Sequence, residues 1–245
     1  MTSGGAGYYP IFLRLEDRPC VVVGGGGVAE RKIRSLLEAG ARVTVVAPAV
    51  TPPLRDLARA GDVVWYERGY EPGDLAGAFL AFAASDRRGV NRAVGTEARE
   101  RNIPFNAADS PAECTFVVPA TVREGDLTIA ISTSGQSPAV ARRLRLELQT
   151  RFVAGYAELL RWLGALRAPV KEWCPDPVAR EELFRAVAES DVLDWLRQGD
   201  RAEAAARLDA IAGSYSWWRG RPTDPLRGPV VDPVSTEPTA RERRP

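Results

Sequence analysis

The chain has 245 residues, of which 45% are apolar and 27% are charged, a balance typical of globular proteins with a sizeable core. Its 33 basic and 32 acidic residues leave a formal net charge of +1, which excludes an overall basic field for binding nucleic acid or a membrane surface. All but two of the basic residues are arginines, the exceptions being Lys32 and Lys171, and biased codon usage explains this preference more simply than selection for anion binding.

The residue types that are missing exclude several kinds of site. The sequence has no histidine, which excludes Ser-His-Asp hydrolysis, Cys-His proteolysis, HExxH zinc sites and histidine-ligated haem. Cys20, Cys114 and Cys174 are too far apart for a CxxC zinc or redox pair, so we predict no metal site and interpret them as reduced thiols. No stretch approaches the ~20 apolar residues of a membrane span. Met1–Tyr9 lacks the features of an export signal, and we therefore expect a cytoplasmic protein.

The first part of the chain, from about Tyr9 to Ser110, alternates predicted strands with predicted helices. Apolar runs predict five strands, at Pro19–Val23, Arg42–Ala47, Asp62–Glu67, Phe79–Ala84 and Pro104–Ala107. Helical patterns lie between them, ending at Gly40 and covering Pro53–Ala60 and Arg88–Arg99, with a short helix or turn at Pro72–Ala76. Strands that are apolar throughout and alternate with helices predict a parallel sheet covered on both faces.

The second part of the chain has a different pattern. Thr115–Arg123 and Leu127–Thr133 predict a β-hairpin, in which Pro119 favours an edge position for the first strand. Ser137-Pro138 is typical of the start of a helix, and helical periodicity continues to about Ala168. Further helices are predicted at Pro177–Glu189, Val192–Arg197 and Arg201–Ala212.

A glycine-rich segment joins the first predicted strand to the first helix. Val21–Ala29 reads VVVGGGGVA and fits the pattern GxGxxA. In this setting Gly24 makes the tight turn, Gly26 lets a pyrophosphate approach the backbone, and the small Ala29 allows close helix–strand packing. The start of the helix offers unpaired N–H groups to the phosphates. We predict a bound NAD with the contact residues Gly24, Gly26, Gly27, Val28, Pro48, Ala49, Ala84 and Ser85.

One element of an ordinary NAD site is missing. An acidic residue about 20 positions after the glycines usually binds the ribose hydroxyls, but this chain has Val46–Ala49 there. No arginine for a 2′-phosphate lies there either. Backbone groups would have to meet the ribose, so the preference for NAD over NADP stays open at this point.

Four stretches resemble one known family, the precorrin-2 dehydrogenase/sirohydrochlorin ferrochelatase module of sirohaem biosynthesis. They are YPIF with VVVGGGGVAERK, RVTVVAP, NAAD, and TFVVPATVREGDLTIAISTSGQSPAVARRLR, at Tyr9–Phe12 with Val21–Lys32, Arg42–Pro48, Asn106–Asp109 and Thr115–Arg145. The STSGQSP turn of the last stretch is the most specific. A weaker likeness continues to about residue 212.

The resemblance implies an enzyme, a domain organisation and partners. It implies NAD-dependent oxidation of precorrin-2 to sirohydrochlorin and, in many but not all members, insertion of Fe²⁺. It also implies a homodimer built through the segment after the Rossmann domain. We therefore expect an α/β protein with a Rossmann NAD-binding domain (1–113), a dimerisation segment of hairpin and helix (114–150) and a helical domain (151–218). The proline-rich tail (219–245) is expected to be disordered.

Asp109 is the predicted catalytic residue. It follows a predicted strand end, where ligands gather in open parallel sheets, and the resemblance makes this aspartate the acid/base. Loss of hydride from the substrate must be accompanied by loss of a proton, and one carboxylate can accept it without any histidine. The alternative from the residues alone is an Asx turn or helix cap before Ser110-Pro111.

The predicted substrate contacts lie in two places. Ser134–Pro138 caps a helix, and its hydroxyls and N–H groups suit the carboxylates of precorrin-2, which carries eight. Arg142 offers a cation one turn further on, although a solvated surface arginine is the simpler interpretation. Asn106 either orients the cofactor or caps its strand. The predicted substrate-binding residues are Asn106, Ser134, Gly135, Ser137 and Arg142.

Two other classes of protein compete with the enzyme. A non-catalytic NAD(H)-sensing regulatory module would explain Gly24–Ala29 but would leave Asp109 and the Ser134–Pro138 turn without a role. A metal-delivery protein without redox chemistry is disfavoured by the absence of histidine.

Overall fold

The computed structural model describes residues 7–151 and 154–219, which form two compact units that divide after Val118. The predicted tail, residues 219–245, lies outside the described residues apart from Arg219. Among the described helices, none is long and apolar enough to cross a membrane.

The first unit contains a parallel sheet of five strands, as the sequence predicts. The strand order is β3-β2-β1-β4-β5, and the strands are β1 (Pro19–Val23), β2 (Arg42–Val46), β3 (Val63–Tyr66), β4 (Leu80–Ala83) and β5 (Phe105–Ala107). Three helices connect them, namely α1 (Gly27–Glu38), α2 (Pro52–Ala60) and α3 (Arg88–Glu100). Pro72–Ala76 forms turns.

Both faces of this sheet are buried, which explains why its strands are apolar without alternation. Cys20 and Val22 of β1 belong to a core that also contains Ile33 of α1. Val21 belongs to a second core, with Val94 of α3. Because successive side chains point to opposite faces, a strand covered by helices on both sides needs apolar residues at every position.

The strand order places a crevice at the centre of the sheet. β1 pairs with β2 on one side and with β4 on the other, so that Val23 lies between Val46 and Ala83. The chain proceeds to β2 and β3 on one side and to β4 and β5 on the other. The loops that follow β1 and β4 therefore diverge, and such a switch point at the carboxyl ends of the strands is where open α/β sheets bind ligands.

The second unit begins with a hairpin and continues with helices. The hairpin consists of β6 (Ala120–Glu124) and β7 (Leu127–Ile131), and the helices are α4 (Pro138–Arg151), α5 (Tyr156–Trp173), α6 (Pro177–Ala188), α7 (Val192–Gln198) and α8 (Arg201–Gly213). Trp162, Leu183 and Leu208 belong to one buried core formed by these later helices.

The structure differs from the sequence predictions in two places. The hairpin strand begins at Ala120 rather than Thr115, because Thr115 bonds back to Phe105: its N–H donates to the Phe105 oxygen at 2.9 Å. Residues 114–118 consequently lie in the first unit. The long helix predicted after Ser137 is divided, since Gly155 has a φ of +86° and α5 begins only after it.

Candidate functional site

The eight residues predicted to contact the cofactor line one cleft. It has a volume of about 520 Å³ and lies at the carboxyl ends of β1, β2 and β4. Their role in binding stays a prediction, but the structure brings all eight together from three separate segments of the chain, at Gly24, Gly26, Gly27, Val28, Pro48, Ala49, Ala84 and Ser85.

Four consecutive glycines form one wall of the cleft, and they meet different constraints. Gly24 has a φ of +126°, and a Cβ there would lie 2.4 Å from the Ala84 oxygen. A Cβ on Gly25 would lie 2.0 Å from the Ala49 oxygen. By contrast, Gly26 has an extended backbone, and a Cβ on it would meet no atom of the described residues within 4 Å, so it faces the open cleft. The protein itself requires Gly24 and Gly25, whereas a ligand would require Gly26.

The start of α1 is left open for an anion. Gly26 is the N-cap and provides no side-chain hydrogen bond, so no described side chain satisfies the first N–H groups of the helix. The neighbouring loop is fixed instead: Thr51 donates its N–H to the Gly25 oxygen at 2.9 Å and its hydroxyl to Glu30 at 2.7 Å. The bonds from Thr51 and Arg34 lower the pKa of Glu30. The loop geometry thus leaves the helix dipole and its free N–H groups directed at the cleft.

At the end of β2, where an acidic residue usually binds the ribose, the cleft has no acidic side chain, as the sequence indicates. Val46, Ala47 and Pro48 line it, and the Ala47 oxygen already accepts the indole N–H of Trp65 at 2.9 Å. Tyr70 also lines the cleft. Backbone groups and apolar side chains are therefore what a ribose would meet at the end of β2.

A buried acid supports Tyr70 from behind. Glu97 is 7% exposed and accepts bonds from the Tyr70 hydroxyl, from the Gly73 N–H at 3.0 Å and from Arg101 at 2.7 Å. Burial opposes ionisation of Glu97, but these bonds outweigh it and lower the pKa of the carboxyl. Burial and the same bond raise the pKa of Tyr70. The Tyr70 phenol is consequently held in place and kept neutral where it lines the cleft.

Asn91 is a supporting residue that sequence analysis missed. It is 2% exposed, accepts the Ser85 N–H at 3.2 Å and donates to the Ser85 oxygen at 2.9 Å. Its carboxamide therefore holds both backbone groups of a residue that lines the cleft. The signal available in the sequence was a polar residue on the apolar face of α3, beside Val94 and Ala98.

Asp109 lies on an exposed loop between β5 and a short 3₁₀ helix, Pro111–Glu113. Its neighbour Ala108 lines the cleft. The carboxylate of Asp109 makes no hydrogen bond or ion pair with any residue of 7–151 or 154–219. Ser110 occupies the cap position of the 3₁₀ helix, without a side-chain bond. Among the described residues, the carboxylate thus has none of the bonds that a cap or an Asx turn would give it, and its catalytic role stays a prediction.

The base of the Asp109 loop is closed by hydrogen bonds. The thiol sulfur of Cys114 accepts the Ala107 N–H at 3.1 Å, and Asn106 donates to the Phe116 oxygen at 3.0 Å. Asn106 also accepts from Lys32 at 2.8 Å and is 8% exposed. Its carboxamide is therefore engaged inside the unit, and contact with a substrate, as predicted from the sequence, would have to use what these bonds leave free.

The Ser134–Pro138 turn belongs to the second unit. The Ser137 hydroxyl accepts the Val140 N–H at 3.3 Å, which is the capping bond that the sequence predicts for α4. Ser134 and Gly135 have positive φ values of +50° and +79° and are exposed. Arg142 is exposed as well. Their contacts with a substrate stay predictions.

The described residues contain no group of three or more cysteine and acidic side chains placed to hold a metal ion.

Three family descriptions match the chain in order. Residues 11–120 match a putative NAD(P)-binding domain, residues 124–151 the central region of sirohaem biosynthesis proteins, and residues 155–211 the sirohaem synthase dimerisation region. The first match confirms the predicted nicotinamide-dinucleotide domain. The family description attaches dimerisation to residues 155–211, whereas we expected it at 114–150.

Individual relatives agree with these matches. The sirohaem synthase of Methylococcus capsulatus is 39% identical over 215 residues, 88% of this chain and 45% of the relative. That of Methylobacillus flagellatus is 41% identical over 196 residues, 78% of this chain and 42% of the relative. The chain thus spans less than half the length of these curated relatives.

This chain also matches the full length of a solved structure. SirC, a precorrin-2 dehydrogenase, superimposes with a TM-score of 0.69 at 26% identity, covering 83% of this chain and 100% of SirC. This match confirms the predicted Rossmann-type parallel sheet followed by helical segments. The three matched regions in this order, the sirohaem synthase relatives and this structural match together show that the chain carries the NAD(P)-binding, central and dimerisation regions described for sirohaem biosynthesis proteins and that it is similar to sirohaem synthases and to SirC.

Proposed function

We propose that this chain oxidises precorrin-2 to sirohydrochlorin with NAD⁺ as the hydride acceptor. The observation that carries the proposal is a free carboxylate, that of Asp109, next to Ala108 on the wall of a dinucleotide cleft. The likeness to SirC supplies the reaction class. The family relationship supplies the substrate class.

The reaction removes a hydride and a proton from the tetrapyrrole. NAD⁺, when bound, supplies the hydride acceptor. The cleft orients the dinucleotide through Gly24–Gly27 and the start of α1. Asp109 accepts the proton that the substrate loses together with the hydride and then releases it to solvent, so that precorrin-2 and NAD⁺ become sirohydrochlorin, NADH and H⁺.

NAD⁺ fits this cleft better than NADP⁺. A 2′-phosphate needs an arginine or other donor set at the end of β2. Ala47, Pro48 and Ala49 line the cleft there and offer no cation. A ribose with free hydroxyls can be met by backbone groups alone.

Insertion of Fe²⁺ is a second activity that the same carboxylate suits. Metal insertion expels two pyrrole N–H protons, and Asp109, which no described side chain binds, can accept them one after the other and release each to solvent. Fe²⁺ is a substrate in this proposal, not a resident metal. Measurement of sirohaem formation with Fe²⁺ under anaerobic conditions, compared between the native chain and Asp109→Asn, tests it.

We also propose that the chain is a cytoplasmic homodimer. The family match to a dimerisation region supports the dimer, as do the exposed side chains of Val140, Leu144 and Leu146 on α4. The free thiols of its three cysteines support a reducing compartment. Light scattering of the purified chain should give twice the mass of one chain, and a monomer would contradict the dimer.

One assay tests the dehydrogenase. The purified chain is incubated anaerobically with precorrin-2 and NAD⁺, while NADH and sirohydrochlorin are followed by their absorbance. We expect equal amounts of both products. A chain that binds NAD⁺ but produces neither would instead be a sensing module, and the proposal would be wrong.

A further inference from the structure

Lys32 is an exception in a chain that otherwise uses arginine. It is one of two lysines among 33 basic residues. It lies in the second turn of α1, and its ammonium is 5.0 Å from the ring centroid of Phe82 and 2.8 Å from Asn106 Oδ1. A lysine has a compact ammonium that fits over a ring and beside an amide, where the planar guanidinium of arginine would need more space.

The charge of Lys32 has no acidic partner within the described part of the chain. Its one hydrogen-bond acceptor there is the neutral carboxamide of Asn106. Burial lowers the pKa of the Lys32 ammonium, an effect that the nearby Cys114 opposes and Arg31 reinforces. Arg34, another cation of this stretch, behaves differently, since it pairs with Glu30 at 2.9 Å. A partly buried ammonium with two N–H groups that no described residue accepts is available to an anion from outside the chain.

The surroundings hold this ammonium in one position. Asn106 cannot rotate its amide freely, because its nitrogen donates to the Phe116 oxygen at 3.0 Å. The rings of Phe82 and Phe116 pack edge to face, with centroids 5.4 Å apart. The amide oxygen and the ring face therefore fix the ammonium before any ligand binds, as expected of a prepared binding group.

Through its bond to Asn106, the Lys32 ammonium is also connected to the strand that leads to Asp109, the predicted catalytic residue. Asn106 is on β5, three residues before Asp109, and Cys114 and Phe116 belong to the segment that closes the Asp109 loop. An anion bound by Lys32 would therefore be held by the same strand and segment that carry Asp109.

We propose that Lys32 binds a carboxylate side chain of the tetrapyrrole substrate. The inference rests on the proposed function, because precorrin-2 and sirohydrochlorin carry eight carboxylates and this ammonium lacks an acidic partner in the described chain. The contact is a charge-assisted hydrogen bond that orients the macrocycle, and Lys32 takes no part in hydride or proton transfer.

The test compares three variants. Lys32→Met keeps the length of the side chain and removes the charge, and Lys32→Arg keeps the charge. Arg31→Met is the matched control, because Arg31 is an exposed cation on the same helix. The Kd for sirohydrochlorin without cofactor is measured by quenching of tryptophan fluorescence, and the KM values for precorrin-2 and NAD⁺ are measured by the absorbance assay of the dehydrogenase.

We expect Lys32→Met to raise the Kd for sirohydrochlorin and the KM for precorrin-2 by about 10- to 100-fold, the usual effect of losing a hydrogen bond to a charged group. The KM for NAD⁺ and the values for Arg31→Met should stay within about twofold of the native chain, and Lys32→Arg should weaken binding less than Lys32→Met. If Lys32→Met binds sirohydrochlorin as the native chain does, or if it loses only thermal stability, the inference is wrong while the dehydrogenase proposal stands. If the native chain neither binds nor forms sirohydrochlorin, the proposed function itself fails.

Discussion

Two helices of this protein start at candidate ligand-binding turns, yet they are stabilised in opposite ways. α1 follows the glycine turn, has no side-chain cap, and buries Ala29, Ile33 and Leu36 against the sheet. α4 follows the Ser134–Ser137 turn and is capped by its own serine, but among its described side chains only Ala141 is buried. Packing therefore secures α1, and its N–H groups are left for a ligand.

The two turns also differ in whether residues of their own unit form the complete surroundings of the turn. The cleft beside α1 has its walls, its supporting hydrogen bonds and its open helix start within residues 23–108. α4 leaves Val140, Leu144 and Leu146 exposed, and a helix with so little burial depends on further contacts for its stability. We therefore expect substitutions near α1 to act on ligand binding, and substitutions at the start of α4 to act first on stability.

The largest expected effect separates chemistry from binding at the α1 cleft. Asp109→Asn keeps the size of the side chain but removes the carboxylate that accepts a proton. Dehydrogenation, measured as NADH formed, should fall by roughly 10²- to 10⁴-fold, the usual contribution of a positioned base. The Kd for NAD⁺ should be unchanged. A variant with native turnover and a lowered melting temperature would make Asp109 a structural residue.

Neighbouring glycines allow the next test. Gly26→Leu directs a side chain into the cleft, so the KM for NAD⁺ should rise by at least about tenfold, equivalent to ~1.4 kcal/mol of binding free energy, while the melting temperature is retained. Gly25→Ala should behave differently, because its Cβ would overlap the Ala49 oxygen. We expect it to lower the free energy of unfolding by about 1–3 kcal/mol. If both variants lose stability equally, the glycine run is structural throughout.

Asn91 tests whether support from behind the cleft matters. Asn91→Leu leaves the N–H and the oxygen of Ser85 without their partner, which should lower the free energy of unfolding by about 1–3 kcal/mol and raise the KM for NAD⁺ with little change in kcat. Asn91→Asp keeps the acceptor for the Ser85 N–H and should have a smaller effect on KM. An unchanged KM in the folded Leu variant would limit Asn91 to a stabilising role.

The smallest effect is expected at the start of α4. Ser137→Ala removes the hydroxyl that accepts the Val140 N–H and should lower the free energy of unfolding by about 0.5–2 kcal/mol, the usual value of an N-cap. Ser137→Asp restores a capping oxygen but adds a negative charge. If this turn also binds substrate carboxylates, Ser137→Asp should recover the stability of the native chain but should have a higher KM for precorrin-2. Native stability together with a native KM would restrict Ser137 to capping.

Sequence periodicity predicted the first unit well because its determinants are local. The predicted β1 and the helix ending at Gly40 agree with Pro19–Val23 and Gly27–Glu38, since an apolar strand, a glycine turn and an amphipathic helix each have their own pattern. The prediction erred at Thr115, where apolar composition suggested a hairpin strand. A bond to Phe105, ten residues earlier in the chain, takes that residue out of the hairpin.

The site residues that belong to a recognisable motif were predicted from the sequence. Those that depend on contacts between separate segments were missed. The GxGxxA pattern treats Gly25 as variable, although the neighbouring loop leaves no room for a Cβ there. The polar Asn91 on the apolar face of α3 was a visible signal, but periodicity does not show that it bonds to Ser85, six positions earlier. Lys32 and Asn106 are 74 positions apart, and their contact depends on strand order, which a pattern within a single segment does not contain.

The scarcity of lysine has a practical consequence for labelling. Lys171 is exposed, whereas Lys32 lies over the Phe82 ring with its pKa lowered by burial. Amine-reactive reagents therefore have only two side-chain targets in the whole sequence, one open and one sheltered. The ratio of modification at Lys32 to modification at Lys171 can be measured by mass spectrometry of the digested protein. It reports the accessibility of Lys32, with Lys171 as the internal reference. Any molecule that reaches the ammonium of Lys32 should change that ratio without a tag, a chromophore or a turnover assay.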